Sequence, residues 1–249
     1  MPYRKEKFEN GDIVHVILRG VDGNLIFKDT DDYFRGIFSI YEFNNLNPVS
    51  IKERRRLINR FKKNSRGETS RGPTSGSLMP LKDNRERMVD ILCFCFMPNH
   101  IHLLVRQIKD NGITEFMRKV GTGYGGYINR KHKRQGHVFQ SSFSAVKITT
   151  NEQLRIVFAY IHTNSISLIY SEWKEIRTKE ENFDKIIKFL ENYKWSSYLD
   201  YIGTKNFPSV TQRESMVELF GGESNYKEFI QDYIKNKGEL KKYSELFLE

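Results

Sequence analysis

Two histidines separated by a single residue stand in an otherwise apolar run, Met97-Pro-Asn-His-Ile-His-Leu-Leu-Val105. In an extended strand alternate side chains point to the same face, so His100 and His102 would share one face and Ile101 would lie on the other. Imidazole nitrogens are common ligands of divalent metal ions. The pair therefore indicates a candidate metal site. A His-x-His pattern alone is weak evidence for one, and the alternative is a pair of surface or core histidines that bind no metal.

A tyrosine and an asparagine follow on a predicted helix over residues 151–167, and Tyr160 lies 58 residues after His102. Tyr160 and Asn164 are four residues apart, which places them one helical turn apart on the same face. The Asn164 amide oxygen can complete a three-ligand site with the two histidines, and Mg²⁺ or Mn²⁺ suits such ligands and a phosphate oxygen. A phosphodiester activated there can be attacked by the Tyr160 hydroxyl, which predicts DNA cutting through a covalent phosphotyrosine.

Other residues of reactive type are better explained by packing. His162 lies only two residues from Tyr160, faces elsewhere on the helix, and is predicted to be structural. Further tyrosines belong to apolar stripes or to an aromatic group around Trp195, and base stacking by one or two of them remains the alternative. These tyrosines are Tyr124, Tyr127, Tyr193, Tyr198 and Tyr201.

The two cysteines, Cys93 and Cys95, lie two residues apart on a predicted strand. They would share one face and be poorly placed to form a disulfide with each other. We predict reduced, packed thiols. The alternative is a zinc site formed by both cysteines together with His100 and His102.

Composition points to a polyanionic partner. The chain of 249 residues has a net charge of +10, a pI near 9.4 and a hydrophobic content of 38%, enough for a substantial core. No apolar run approaches the ~20 residues that a membrane span needs, so nucleic acid is favoured over a membrane. The charged N-terminus lacks the apolar stretch of a secretion signal, and a cytoplasmic protein is expected.

Two groups of basic residues are candidate DNA contacts. The first lies in an insertion at about 48–87, interpreted as a short basic helix leading into a loop, and the second closes a predicted helix that starts near residue 113. A solvated charge run is the alternative for the insertion. The candidates are Arg54, Arg55, Arg56, Arg60, Lys62 and Lys63 in the first group and Arg130, Lys131, Lys133 and Arg134 in the second.

The predicted element order is strand, helix, strand, strand, helix, strand, helix. The strands are expected at 12–19, 88–96, 100–106 and 137–148, and amphipathic helices at 183–190, 196–202, 210–219 and 226–235. This order predicts an α+β fold, a ferredoxin-like antiparallel sheet with helices on one face, plus a C-terminal helical extension. We divide the chain into a catalytic domain at 1–170 and the extension at 171–249.

The runs around His100 and Tyr160 resemble the single-tyrosine HUH transposases (U is a hydrophobic residue), specifically the REP-associated tyrosine transposases. The resemblance continues through Val14–Gly20, Tyr127–His132 and Gly136–Gln140. It implies that His100, His102 and Asn164 bind the metal and that Tyr160 is the nucleophile. It also implies an enzyme that nicks single-stranded DNA beside a hairpin, keeps the 5′-phosphate on tyrosine and needs no nucleotide cofactor.

The chain departs from the family pattern at positions outside the catalytic groups. Ser165 stands where proline is frequent and Phe139 where tryptophan is frequent. A hairpin-binding protein that keeps the fold but no longer cuts is the main alternative. A related HUH replication initiator or relaxase is a third, although such proteins commonly carry a third metal-binding histidine or a helicase domain. A monomer and a homodimer are both compatible with the sequence.

Overall fold

The computed structural model describes residues 7–54, 56, 83–140, 143–170, 173, 180–236 and 246–247. Most of the basic insertion predicted at 48–87 is not among them. Of the candidate DNA contacts in that insertion, Arg54 and Arg56 are described, while Arg55, Arg60, Lys62 and Lys63 lie outside the described residues.

The described part of the chain contains four strands and seven α-helices. The strands are β1 (Ile13–Arg19), β2 (Val89–Met97), β3 (His100–Gln107) and β4 (Ser144–Ile148). The helices are α1 (Thr30–Glu42), α2 (Gly112–Lys131), α3 (Asn151–Thr163), α4 (Glu180–Leu190), α5 (Tyr198–Tyr201), α6 (Glu214–Phe220) and α7 (Glu223–Asn236). Short 3₁₀ turns occupy Val21–Gly23 and Asn164–Leu168.

The strands form one antiparallel sheet in the order β2-β3-β1-β4. This is the strand order of a ferredoxin-like layout, so the α+β fold with an antiparallel sheet and C-terminal helices predicted from the sequence is confirmed. The central strand β3 pairs with both β1 and β2, which places His102 opposite Ile17 on one side and Cys95 on the other. The candidate metal ligands therefore lie in the middle of the sheet, where strand pairing restricts their positions.

Both faces of the sheet are covered. Alternate residues of β1 and β3, including Val16 and Leu103, pack with α1 and α2 in one core. The opposite face, which carries Leu104 and Cys95, packs with α3 and the C-terminal helices in a second core. The sequence predicted helices on one face of the sheet. Helices α1 and α2 cover that face, whereas α3 and the C-terminal helices cover the opposite face, which carries the histidines. Because of this second layer, β2 is buried along its whole length.

The fourth strand is shorter than predicted. The expected strand at 137–148 is observed only as Ser144–Ile148, and residues 141–142 are not described. Upstream, Phe139 makes one isolated bridge to Gly20, and the buried side chains of Val138 and Phe139 belong to the first core. The β-branched and aromatic character that predicted a strand is therefore used for core packing before the ladder begins.

The start of α3 is capped by side chains. The Thr150 side chain accepts a hydrogen bond from the Gln153 amide, and the Gln153 side chain accepts one from the Thr149 amide. Towards its end, the Thr163 hydroxyl donates to the Ala159 carbonyl at 2.9 Å. Such a bond back to the preceding turn bends a helix. The predicted helix at 151–167 accordingly becomes a 3₁₀ turn from Asn164 onwards.

Glycines in α2 weaken its intrinsic helix propensity, and close packing explains two of them. A Cβ at Gly112 would lie 2.4 Å from the Met88 carbonyl oxygen, and one at Gly123 would lie 2.2 Å from the Phe43 ring. These helix positions therefore require glycine for backbone and ring contact. Among the described residues, no helix is long and apolar enough to cross a membrane.

Candidate active site

Three imidazoles form a row across the sheet. The Nε2 atoms of His100 and His102 lie 2.9 Å apart, and His102 Nδ1 lies 3.0 Å from His15 Nε2. His15 comes from β1 and was not among the predicted site residues. The inward alternation of β1 could have indicated it, because Ile13, His15 and Ile17 share one face of that strand.

The spacing of the first two imidazoles suits a shared cation. Metal–nitrogen bonds of about 2.1 Å from two nitrogens to one ion at roughly a right angle leave the nitrogens about 3 Å apart. The observed distance of 2.9 Å between the two Nε2 atoms agrees with that separation. The Nδ1 atom of His100 lies 2.7 Å from the Asn99 side-chain oxygen. This contact orients the His100 ring so that its Nε2 points towards His102.

Tyr160 lies against the same histidines. Its ring centroid is 5.6 Å from that of His102 and 5.9 Å from that of His15, in both cases edge to face. The helix α3 packs on this face of the sheet through a buried stripe that includes Phe158 and Ile161. The residues predicted to combine a metal site with a tyrosine are thus brought together across 58 residues of sequence.

The C-terminal pair, Leu246 and Phe247, closes this site. The Phe247 ring stacks on the Tyr160 ring with centroids 4.2 Å apart and planes 9° from parallel. The Leu246 carbonyl oxygen lies 2.7 Å from His15 Nδ1. Tyr160 is consequently only 3% exposed. Nothing in the local sequence around residue 246 signals this role.

Asn164 is buried at the C-cap of α3 and keeps helical backbone angles, so it continues the face that carries Tyr160. The next residue, Ser165, makes a backbone hydrogen bond to the Cys95 thiol, and Cys95 is the strand partner of His102. The start of the 3₁₀ turn is therefore adjacent to the histidine strand. That the Asn164 amide oxygen binds a metal stays a prediction.

His162 has the structural role expected of it. It is fully buried between Ser197 and Tyr226, with Nε2 2.7 Å from the Ser197 hydroxyl and Nδ1 bonded to the Tyr226 hydroxyl. Burial lowers the pKa of His162 to about 3, so the ring is neutral at physiological pH. These bonds attach the tyrosine helix to α7 and to the segment before α5.

The two cysteines are buried free thiols, as predicted, and burial raises the pKa of Cys95 to about 12. Across the residues that the structure describes, no group of three or more His, Cys, Asp or Glu side chains is arranged to hold a metal ion. The zinc alternative has no support from this arrangement. The Asn164 amide remains the predicted third ligand of a cation bound by His100 and His102.

The family match covers this constellation. Residues 81–164 match the family model described as "Transposase IS200 like". This segment is similar to the IS200-like transposases. The matched segment contains His100, His102 and Tyr160, and it ends at Asn164. His15 and the C-terminal pair lie outside the matched segment.

One solved structure similar to this chain is described as "Structure of the REP associates tyrosine transposase bound to a REP hairpin". The TM-score is 0.41 and the sequence identity 10%, over 84% of this chain and 89% of that chain. No curated protein matches the sequence significantly.

Among the described residues, two of the candidate DNA contacts bind carboxylates within the fold. Lys131 Nζ lies 2.7 Å from carboxylate oxygens of Asp29 and of the fully buried Asp32. Arg54 Nε lies 2.7 Å from the buried Glu42 carboxylate. Each cation neutralises an acid, and this accounts for its position without DNA.

The remaining cations at the end of α2 face solvent. Arg130 and Lys133 are exposed, and Arg134 lines a shallow cavity together with Asn24 and Lys28. The loop that carries Asn24 is fastened to the turn before His100, because the Ile26 amide donates to the Pro98 carbonyl at 2.8 Å. A basic surface thus connects to the turn that precedes the first histidine.

Proposed function

We propose that the chain is a metal-dependent endonuclease and strand transferase for single-stranded DNA, acting beside hairpins through a 5′-phosphotyrosine. One observation carries the proposal: the Tyr160 ring contacts His102, whose Nε2 lies 2.9 Å from that of His100. The family match over residues 81–164 supports transposase chemistry in the same segment. Single-stranded or hairpin DNA is the proposed partner, with the protein acting as a monomer or a homodimer.

His100, His102 and the Asn164 amide are the residues that would hold Mg²⁺ or Mn²⁺. They fit such an ion because two imidazole nitrogens already converge at the required separation, and neutral ligands leave its charge undiminished. When bound, the ion polarises a phosphate oxygen and so makes the phosphorus a better electrophile.

The bonds that form and break follow from Tyr160. Its oxygen attacks phosphorus in line, a Tyr–O–P bond forms, and the bond from phosphorus to the 3′ oxygen breaks. The phenol proton leaves, and the 3′ oxygen departs as a hydroxyl after taking up a proton. A 3′-hydroxyl from a second strand can reverse these steps and rejoin DNA. The phosphotyrosine conserves the energy of the phosphodiester, so no nucleotide cofactor is required.

DNA binding is assigned to the exposed end of α2 and to the basic cavity beside it. Within the part of the chain that the structure describes, Arg130, Lys133 and Arg134 make none of the carboxylate contacts that hold Lys131. Phosphate contacts by such side chains position nucleic acid without reading its sequence. The connection from this surface to the turn before His100 gives a bound strand a short path to the histidines.

A hairpin-binding protein that does not cut is the second candidate. The observation in its favour is the position of Phe247, whose ring covers Tyr160 and leaves it 3% exposed. The two candidates differ in one measurable property. Only the enzyme forms a covalent bond between Tyr160 and DNA.

The test is a denaturing gel of the protein incubated with single-stranded hairpin DNA, with and without Mn²⁺. Wild type should yield a Mn²⁺-dependent covalent adduct, and Tyr160→Phe should yield none while binding the hairpin with nearly unchanged affinity. Tyr170→Phe, which removes a half-buried hydroxyl bonded to Asn182, is the matched control and should keep the adduct. Hairpin binding by wild type without any adduct would favour the second candidate, and an adduct from Tyr160→Phe would show another nucleophile.

A further inference from the structure

The hydrogen bonds of His15 determine which of its nitrogens carries hydrogen. Its Nδ1 lies 2.7 Å from the Leu246 carbonyl oxygen, which can only accept. Nδ1 therefore carries the hydrogen and donates it. In a neutral ring Nε2 is then an acceptor with a lone pair directed away from the C-terminal pair.

His102 is placed to use that lone pair. Its Nδ1 lies 3.0 Å from His15 Nε2, and the two rings are close to parallel, 17° apart with centroids separated by 5.3 Å. Because His15 Nε2 accepts, His102 Nδ1 must donate. This selects the His102 tautomer whose Nε2 bears no hydrogen and offers a lone pair towards His100.

His100 is set in the same way from the opposite side. Its Nδ1 lies 2.7 Å from the Asn99 side-chain oxygen, which accepts, so His100 Nε2 also presents a lone pair. Two acceptor nitrogens 2.9 Å apart are placed to share a cation between them, either a proton or a metal ion. A divalent ion satisfies both lone pairs together.

We propose that His15 is a positioning residue that holds His102 in the tautomer able to bind the cation, with the Leu246 carbonyl setting His15 in turn. The proposal rests on the cation site proposed above. Both His15 and His102 are fully buried. Groups that bond the outer nitrogen of a metal-binding histidine fix its tautomer and orientation, and here that group is another imidazole.

His15 is assigned this role and is not counted among the ligands. Its two ring nitrogens face the Leu246 carbonyl and His102 Nδ1, so neither is directed to the point between the Nε2 atoms of His100 and His102. The residue lies on β1, opposite Leu104 of β3, and strand pairing holds it beside His102. It is also outside the segment that matches the transposase family.

The test compares two substitutions at one position in the full chain. His15→Phe keeps a ring of similar shape but offers no acceptor, whereas His15→Gln keeps an amide oxygen that can accept from His102. Long-range ¹H–¹⁵N NMR of the metal-free protein reads the tautomer, with the His102 signals assigned by their loss in His102→Gln. Calorimetric titration with Mn²⁺ reads the affinity, and thermal melting checks that each variant is folded.

In wild type, His102 should carry its hydrogen on Nδ1. In His15→Phe the Nε2–H form should appear and the Mn²⁺ affinity should fall about 10- to 100-fold, while His15→Gln should recover most of that affinity. An Nε2–H form of His102 in wild type overturns the proposal. So does an unchanged Mn²⁺ affinity in folded His15→Phe. If His15→Phe fails to fold, the proposal is tested by the tautomer of His102 in wild type and by the Mn²⁺ affinity of His15→Gln.

Failure of the proposed function gives a different pattern. If the wild-type protein binds no Mn²⁺, the proposed cation site and the ligand role of His102 are both wrong, whichever tautomer is found. In a different outcome, the wild-type protein binds Mn²⁺, His102→Ala abolishes binding, and His15→Phe leaves the affinity unchanged. The cation site would then stand, and only the proposed role of His15 would be wrong.

Discussion

Replacing Phe247 with alanine tests whether the C-terminal pair restrains the candidate nucleophile. The Phe247 ring lies flat on Tyr160, with centroids 4.2 Å apart, and no phosphodiester can reach a tyrosine that is 3% exposed. Substrate access therefore requires the pair to move away. Phe247→Ala should increase the fraction of molecules in which it has done so.

The size of the effect follows from the contacts that are lost. An aromatic stack contributes about 0.5–1.5 kcal/mol beyond burial, and burying part of a phenylalanine ring adds about 1 kcal/mol. The sum, about 1.5–2.5 kcal/mol, corresponds to a population shift of about 10- to 70-fold. The rate of adduct formation should rise by up to that factor when the covered form predominates in wild type.

The assay is the initial rate of covalent adduct formation on hairpin DNA at saturating Mn²⁺. Saturation matters because an open C-terminal pair also withdraws the Leu246 carbonyl from His15 and would weaken the metal. Phe247→Tyr should keep the stack and the wild-type rate. Phe183→Ala removes a half-buried phenylalanine of α4 and controls for a general loss of packing.

An unaltered rate in Phe247→Ala, with the protein folded and Mn²⁺ saturating, would refute this reasoning. It would mean that the stacked arrangement does not limit access to Tyr160. An equal acceleration by Phe183→Ala would also refute it, because the effect would then come from loosened helices and not from the stack.

Two predictions concern the basic residues. Lys131→Met should destabilise the fold by about 3 kcal/mol at neutral pH, measured by urea unfolding, because it leaves the buried Asp32 with fewer partners. Burial raises the pKa of Asp32, but its bonds from Lys131, the Lys28 amide and His132 outweigh burial and hold the pKa below its ordinary value. Such a carboxylate stabilises the fold above its unfolded pKa and loses this contribution as pH falls through its folded pKa. The difference in unfolding free energy between Lys131→Met and wild type should therefore narrow in acid. A difference that does not change with pH would contradict the ion-pair explanation. The second prediction concerns Arg130, Lys133 and Arg134. Replacing all three by glutamine should reduce the slope of log affinity against log salt concentration by about 2 for single-stranded DNA. An unchanged slope would show that these side chains contact no phosphate.

Local rules account for much of the fold and of the candidate site. Strand alternation predicts that His100 and His102 share a face, and helix periodicity places Asn164 one turn from Tyr160. The start of α3 is also set locally, because the Thr150 side chain accepts a hydrogen bond from the Gln153 amide. Each of these relations spans at most a few residues, so backbone geometry alone determines it.

Local sequence did not predict the features of the fold that depend on tertiary packing. The strand expected from residue 137 starts at Ser144, because Val138 and Phe139 are drawn into the core beneath α2. Lys131 and Arg54 appeared as parts of basic runs, but each neutralises a buried acid supplied by α1. The division of the chain at residue 170 stays a prediction.

The sequence by itself determined the chemical types at the site: two imidazoles on one strand, and a phenol and an amide on one helix. Only the tertiary structure showed that His15 and the C-terminal pair join them, since His15 is 87 residues from His102 and 231 residues from Leu246. Contacts at such separations depend on which strands pair and on which helices cover the sheet. No local periodicity encodes that choice, because it follows from burying two sheet faces at once.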